Sequence, residues 1–221
     1  MSRMRILIVA VIALGFLWAA PPSHKISFAR AGGVVPGTMR LFISASDGSD
    51  EHPLLAEPHD DYDAVWSPDG QTVVFTSDRN GSGDLFRVDV DGGRLTQLTS
   101  DVAYDDQAAF SPDGKQLVFV STRGSGYADI WTLDIATRRA KALTSGPGGD
   151  YRPAWSPDGK WIAFSSGRGI TAPFAEGRWE RQQLAEIYRI RPDGSGMKKV
   201  TYTGGFCGSP KWMNDSRHVV W

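Results

Sequence analysis

At 221 residues, with a hydrophobic fraction of 41% and a charged fraction of 22%, the chain has the make-up of a soluble globular protein. A net charge of −1 leaves no basic face of the kind that nucleic acid requires. The single cysteine, Cys207, excludes the small disulfide-stapled classes, so the core must stand on packing alone.

Arg3 and Arg5 precede an uncharged apolar run from Ile6 to Ala20, the layout of a secretory signal. The run is short for a membrane span, which needs about twenty residues. Ala29-Arg30-Ala31 has the small-x-small pattern of a cleavage site, so residues 1–20 read as a signal peptide with cleavage as late as 31. An uncleaved inner-membrane anchor over residues 6–20 is the alternative, and it would be the chain's one contact with a membrane. Either reading exports the domain to the periplasm or beyond. Removing residues 1–31 leaves 20 basic against 25 acidic residues.

Residues 21–36 read as a connector. Met39 to Ser44 is an expected strand with its turn at Asp47-Gly48-Ser49, the outer part of an incomplete unit over 37–60. Beyond it the string Trp66-Ser67-Pro68-Asp69-Gly70 returns as Phe110-Ser111-Pro112-Asp113-Gly114 and as Trp155-Ser156-Pro157-Asp158-Gly159. A worn copy follows at Trp212-Met213-Asn214-Asp215-Ser216. The serines at 67, 111 and 156 are 44 and 45 residues apart, the repeat length of a four-stranded blade. Pro presets φ and Gly closes the reversal, so each string is a turn between two strands. The units run over 61–100, 101–145, 146–203 and, in part, 204–221.

Each unit has an apolar strand after the turn, a polar glycine-bearing loop, an alternating strand and a short last strand. In the third unit the loop carries an insertion, Ile170 to Gln183, with Phe174, Arg178, Trp179, Glu180 and Arg181. The alignment puts Trp221 opposite Phe75, Phe119 and Phe164, midway along a strand, so the chain reads as one piece of a longer array. The fold class expected is an all-β propeller of four-stranded antiparallel blades, with three to three and a half blades present behind an N-terminal signal or anchor helix.

Some recurring residues read as scaffold, since what every unit carries supports the unit. Arg79, Arg123 and Arg168 follow the second strand, and Asp84, Asp129 and Glu186 open the third. An Arg–acid pair across that hairpin would pin its register. Five positions before each motif aromatic stand Asp61, Asp105 and Asp150, followed by Tyr62, Asp106 and Tyr151. On the first strand of a blade these six would ring one mouth of the central channel and form the first candidate binding surface. Phe174, Arg178, Trp179 and Arg181 on the insertion form the second. No nucleophile elbow, phosphate-cradling loop, metal pair or Cys-x-x-Cys is present, so neither catalytic residues nor a metal or cofactor is expected.

Trp-Ser-Pro-Asp-Gly, an apolar strand, Ser-x-Arg, a glycine loop, Asp-Leu-Phe or Asp-Ile-Trp, Asp-Gly and Leu-Thr together resemble the WD40-like repeat of TolB-type propellers. Asp63 to Thr99 and Gln107 to Thr144 each resemble one whole unit. Pro153 to Thr201 does so apart from its insertion, and Lys211 to Trp221 more weakly. The resemblance implies a propeller of about six blades. It also implies a periplasmic role in the Tol–Pal envelope system, with a peptidoglycan-associated lipoprotein as protein partner. In TolB-type proteins the resemblance implies a small α/β domain ahead of the propeller, where this sequence reads as the connector 21–36. The same repeats precede the hydrolase domain of prolyl-oligopeptidase-like serine peptidases, which leaves three readings open. They are an exported non-catalytic interaction module, the propeller portion of such a peptidase, and a truncated product without a role of its own.

Overall fold

The computed structural model describes residues 25–31, 38–169 and 184–221. Among them are seventeen strands and no helix. The apolar run 6–20, where the signal or anchor helix is expected, and the insertion from Ile170 to Gln183 lie outside the described residues.

Three four-stranded antiparallel sheets follow one another. The first holds β4 (Asp61–Trp66), β5 (Thr72–Ser77), β6 (Asp84–Asp89) and β7 (Thr96–Gln97) in sequence order. The second holds β8 (Asp105–Phe110), β9 (Gln116–Ser121), β10 (Asp129–Asp134) and β11 (Arg139–Ala142). The third holds β12 (Asp150–Trp155), β13 (Ile162–Ser166), β14 (Glu186–Ile190) and β15 (Lys198–Lys199). The hairpin β16 (Lys211–Trp212) and β17 (Val219–Val220) begins a further unit. The first strands β4, β8, β12 and β16 stand side by side, as blade-inner strands do around an axis.

Ahead of these lies a three-stranded sheet of β1 (Lys25–Ala31), β2 (Met39–Ala45) and β3 (His52–Pro53). Strand β1 falls inside the stretch that reads as a connector in the sequence. It pairs along its whole length with β2, setting Phe28 opposite Phe42. The two rings stack at 5.8 Å, and the Arg30 guanidinium lies over both, at 5.3 and 4.7 Å. The Arg30–Glu51 pair at 2.7 Å holds that guanidinium from the far side. Ala29-Arg30-Ala31, the site suited to cleavage, is therefore the end of a paired strand.

The repeated turns close as their composition demands. Gly70 N–H donates to the Ser67 carbonyl at 2.9 Å, with Gly70 at φ 69°. The Ser67 hydroxyl donates to Asp69 at 2.6 Å, and Asp69 also accepts the Gln71 N–H at 3.0 Å. These bonds hold the Asp69 carboxyl below its usual range, and Asp113 and Asp158 repeat the arrangement. In the worn copy Ser216 takes the glycine position at φ 55°, and its hydroxyl accepts the Asp158 N–H at 3.0 Å. Each turn thereby packs on the next.

The core lies between sheets. One cluster joins Val118, Ile130 and Leu143 to Ile162, Phe164 and Ile190 across two blades, with Trp155 packed on it. Trp66 and Trp212 pack on the corresponding interfaces on either side. The motif aromatic is thus the wedge between blades, and its neighbours Phe75, Phe119 and Phe164 are fully buried.

Candidate functional site

The six residues expected at the channel mouth separate into two kinds. Asp61, Asp105 and Asp150 are buried and face their own blade. Arg79 reaches Asp61 at 2.8 Å, while Arg123 and Arg168 make short contacts with Asp105 and Asp150. The arginines therefore pair with the first strand, and not with the third-strand acids as the sequence pattern suggested. Register sets both acids opposite Ser77, but Asp84 takes its donors from Thr99 and Gln97, and Asp61 takes Arg79.

The serine of Ser-x-Arg holds the same side chain, as Nε donates to Ser77, Ser121 or Ser166 at 2.8 to 2.9 Å. The planar guanidinium then stacks on two rings, Phe75 and Phe86 in one blade, Phe119 and Trp131 in the next, Phe164 and Tyr188 in the third. A carboxylate locked in this way is unavailable to a ligand. Burial still pushes the Asp105 carboxyl up, despite Arg123. Asp84 and Glu186 take hydroxyl donors instead, from Thr99 and from Thr201.

The second kind, Tyr62, Asp106 and Tyr151, meets the neighbouring units. In each inner strand the ladder slips, between Tyr62 and Val65, Asp106 and Ala109, and Tyr151 and Ala154. The first residue of each slip has a positive φ without being glycine: Asp63 at 48°, Gln107 at 55°, Arg152 at 53° and, in the next unit, Ser209 at 54°. A bulge of this kind turns one side chain out of the sheet, at a cost of about 1–3 kcal/mol in backbone strain. The four residues come from consecutive units, and the last three are linked in sequence. Arg152 N–H donates to Gln107 Oε1 at 2.7 Å, and the Arg152 guanidinium donates to the Ser209 hydroxyl.

Asp106 sits under this arc, 7% exposed, accepting from Thr76 Oγ1 at 2.9 Å and from Gln107 N–H at 2.6 Å. Burial and the neighbouring Asp63 carboxylate push its carboxyl up to about 7. Tyr62 and Tyr104 join hydroxyls beside it, and burial raises both phenols. The rim therefore offers a carboxyl pair, two phenols, an amide and a guanidinium at the end of the blades opposite the Ser-Pro-Asp-Gly turns. Among the described residues no group of three or more His, Cys, Asp or Glu is placed to hold a metal ion.

Asp63, Gln107, Arg152 and Ser209 escape a sequence reading because they share no chemistry; what they share is a backbone angle. Phe174, Arg178, Trp179 and Arg181 of the insertion lie outside the described residues.

The family described as PD40, the TolB beta propeller domain, matches residues 21–124 and again residues 105–221. The chain belongs to the TolB β-propeller family. The Tol-Pal system protein TolB of Bordetella pertussis is 35% identical over 51 residues, which is 23% of this chain and 12% of that protein. The crystal structure of TolB from Acinetobacter baumannii superposes with a TM-score of 0.74 at 24% identity, covering 88% of this chain and 46% of that one. A puromycin-hydrolyzing peptidase of Mycobacterium tuberculosis superposes with a TM-score of 0.55 at 15% identity, covering 73% of this chain and 24% of that one. The chain thus spans less than half the length of these relatives, and the two solved structures bear on the fold alone.

Proposed function

We propose that this chain is an exported, non-catalytic TolB-like module of the cell envelope that binds a protein partner, a lipoprotein or a peptide, at the bulged rim. The observation that carries the reading is the arc of Asp63, Gln107, Arg152 and Ser209. Four consecutive units there hold a left-handed backbone at a polar residue that is not glycine, which costs strain that a regular strand avoids. The repeated Asp–Arg pairs take no part, since each neutralises itself inside its blade. Export is supported by Arg3, Arg5 and the apolar run behind them, and an envelope partner by the Tol-Pal system named for the Bordetella relative.

A peptidoglycan-associated lipoprotein from the same cells, immobilised, is the partner to test. Asp63→Lys and Arg152→Glu each reverse a charge on the exposed rim and are expected to weaken its binding about tenfold or more, with the fold intact. Undiminished binding by both variants, or no binding by the unaltered chain, would refute the reading. A second reading, the propeller portion of a longer serine peptidase, is favoured by the superposition on the mycobacterial enzyme. A reading frame that runs on past Trp221 into a Gly-x-Ser-x-Gly domain would decide for it.

A further inference from the structure

One blade interface differs from its neighbours at the rim. On the second strand, Thr76, Val120 and Ser165 occupy one register position, opposite Tyr62, Asp106 and Tyr151 respectively. Thr76 reaches across to the next blade, where its hydroxyl donates to Asp106. The corresponding step from Ser165 leads to position 208, four residues before Trp212 as Asp106 lies four before Phe110. That position is Gly208, which brings no side chain.

The consequence is a small cavity of about 10 Å³ between the two blades, lined by Ser165, Tyr151, Arg152, Leu184, Phe206 and Gly208, among others. Its volume is close to that of one water-sized group. Ser165 is 3% exposed, and among the described residues its hydroxyl has no hydrogen-bond partner. A buried hydroxyl left unpaired costs about 1–3 kcal/mol, and the Thr76 interface, two units earlier, shows what would satisfy it: a carboxylate. The Phe206 ring stands over the opening, 55% exposed, 2.6 and 2.7 Å from where a Cβ on Gly208 would lie. Half in solvent, the ring can swing aside at small cost. Arg152 at the edge supplies the positive charge that a buried carboxylate needs.

We infer that this niche is a receptor for a carboxylate side chain of a docked peptide, which accepts from the Ser165 hydroxyl and the Arg152 guanidinium once Phe206 turns out. The docked group takes the place that Asp106 fills from within at the Thr76 interface. This deepens the rim-binding reading and rests on it for the natural partner, but its test uses no partner protein, so the two can fail separately.

The test is a titration of the isotope-labelled full chain with the peptide acetyl-Ala-Asp-Ala-amide, followed by the amide resonances of Ser165, Phe206 and Gly208. Saturable shifts are expected at these residues. The Asn counterpart of the peptide is expected to bind about tenfold or more weakly, as for a bond to a charged acceptor. Ser165→Ala removes an unpaired hydroxyl, so it keeps the fold while weakening the acidic peptide several-fold, and Arg152→Gln removes the charge and with it the discrimination between the two peptides. Phe206→Ala is expected to tighten binding several-fold. Gly208→Asp combined with Phe206→Ala fills the niche from within and abolishes binding. Equal affinity for the two peptides, undiminished affinity in Ser165→Ala, discrimination that survives in Arg152→Gln, or no shift up to the solubility limit of the peptide would each overturn the inference.

Discussion

Asp106→Asn isolates the electrostatics of the rim. In the folded chain the Asp106 carboxyl is pushed up to about 7, while in the unfolded chain it titrates near the ordinary value of 3.8. Its folded value is raised, so the folded state holds the proton more tightly. The stability this confers is complete below about pH 4 and is lost as the pH rises through 7. Between pH 5 and pH 8 about two units of that range are traversed, which at about 1.36 kcal/mol per unit sets a ceiling of about 3 kcal/mol. Rearrangement around the charged Asp106 carboxylate brings the expected loss to about 2 kcal/mol. Asparagine mimics the protonated acid. Its oxygen can still accept from Thr76 and Gln107, and its amide can donate towards Asp63.

Urea unfolding of both proteins at pH 5 and pH 8 reads the effect, and comparing the two removes every other titrating group. Glu186 and Asp215, both held down to about 2, titrate below this window. The asparagine variant should match the original at pH 5 and exceed it by about 2 kcal/mol at pH 8. Equal losses in the two proteins between those pH values would mean that Asp106 ionises normally, and the account of a crowded carboxyl pair would fall.

Two further perturbations probe the scaffold. Arg123→Lys keeps the charge beside fully buried Asp105 but gives up the stack on Phe119 and Trp131 and the fixed bond to Ser121. A loss of about 2–3 kcal/mol in chemical denaturation is expected, and a change below about 0.5 would show the stack to be incidental. A chain beginning at Gly32 lacks β1, and with it the Phe28–Phe42 stack and the Arg30–Glu51 pair. Compared with one beginning at Pro21, it should melt several degrees lower, since about 1 kcal/mol corresponds to about 2–4 °C at this size. Identical melting would make β1 dispensable.

The turn string carries its own geometry, so the blades and their register were legible from sequence. A proline and a glycine at fixed offsets have few other conformations open to them, and three copies fix the frame for everything between. Strand β1 was harder to see because Ala29-Arg30-Ala31 also suits a processing site, and the ring of Phe28 has meaning only beside Phe42. The pairing of Arg79 with Asp61 was hidden by sequence distance, as the nearer acid, Asp84, lies across the adjacent hairpin. The rim was hidden more deeply. Asp63, Gln107, Arg152 and Ser209 are an acid, an amide, a base and a hydroxyl, and no comparison of residue types unites them. Likewise Gly208 gains meaning only when Ser165 is found buried beneath it without a partner.

Hydrogen–deuterium exchange of the full chain, with and without the peptidoglycan-associated lipoprotein, tests the central claim most directly. Bound partner should slow exchange in the segments around 61–64, 105–108 and 150–153, and leave the Ser-Pro-Asp-Gly turns and the outer strands β7, β11 and β15 unchanged. Protection on those turns or outer strands, with the rim exchanging as freely as before, would place the binding face elsewhere and contradict the account.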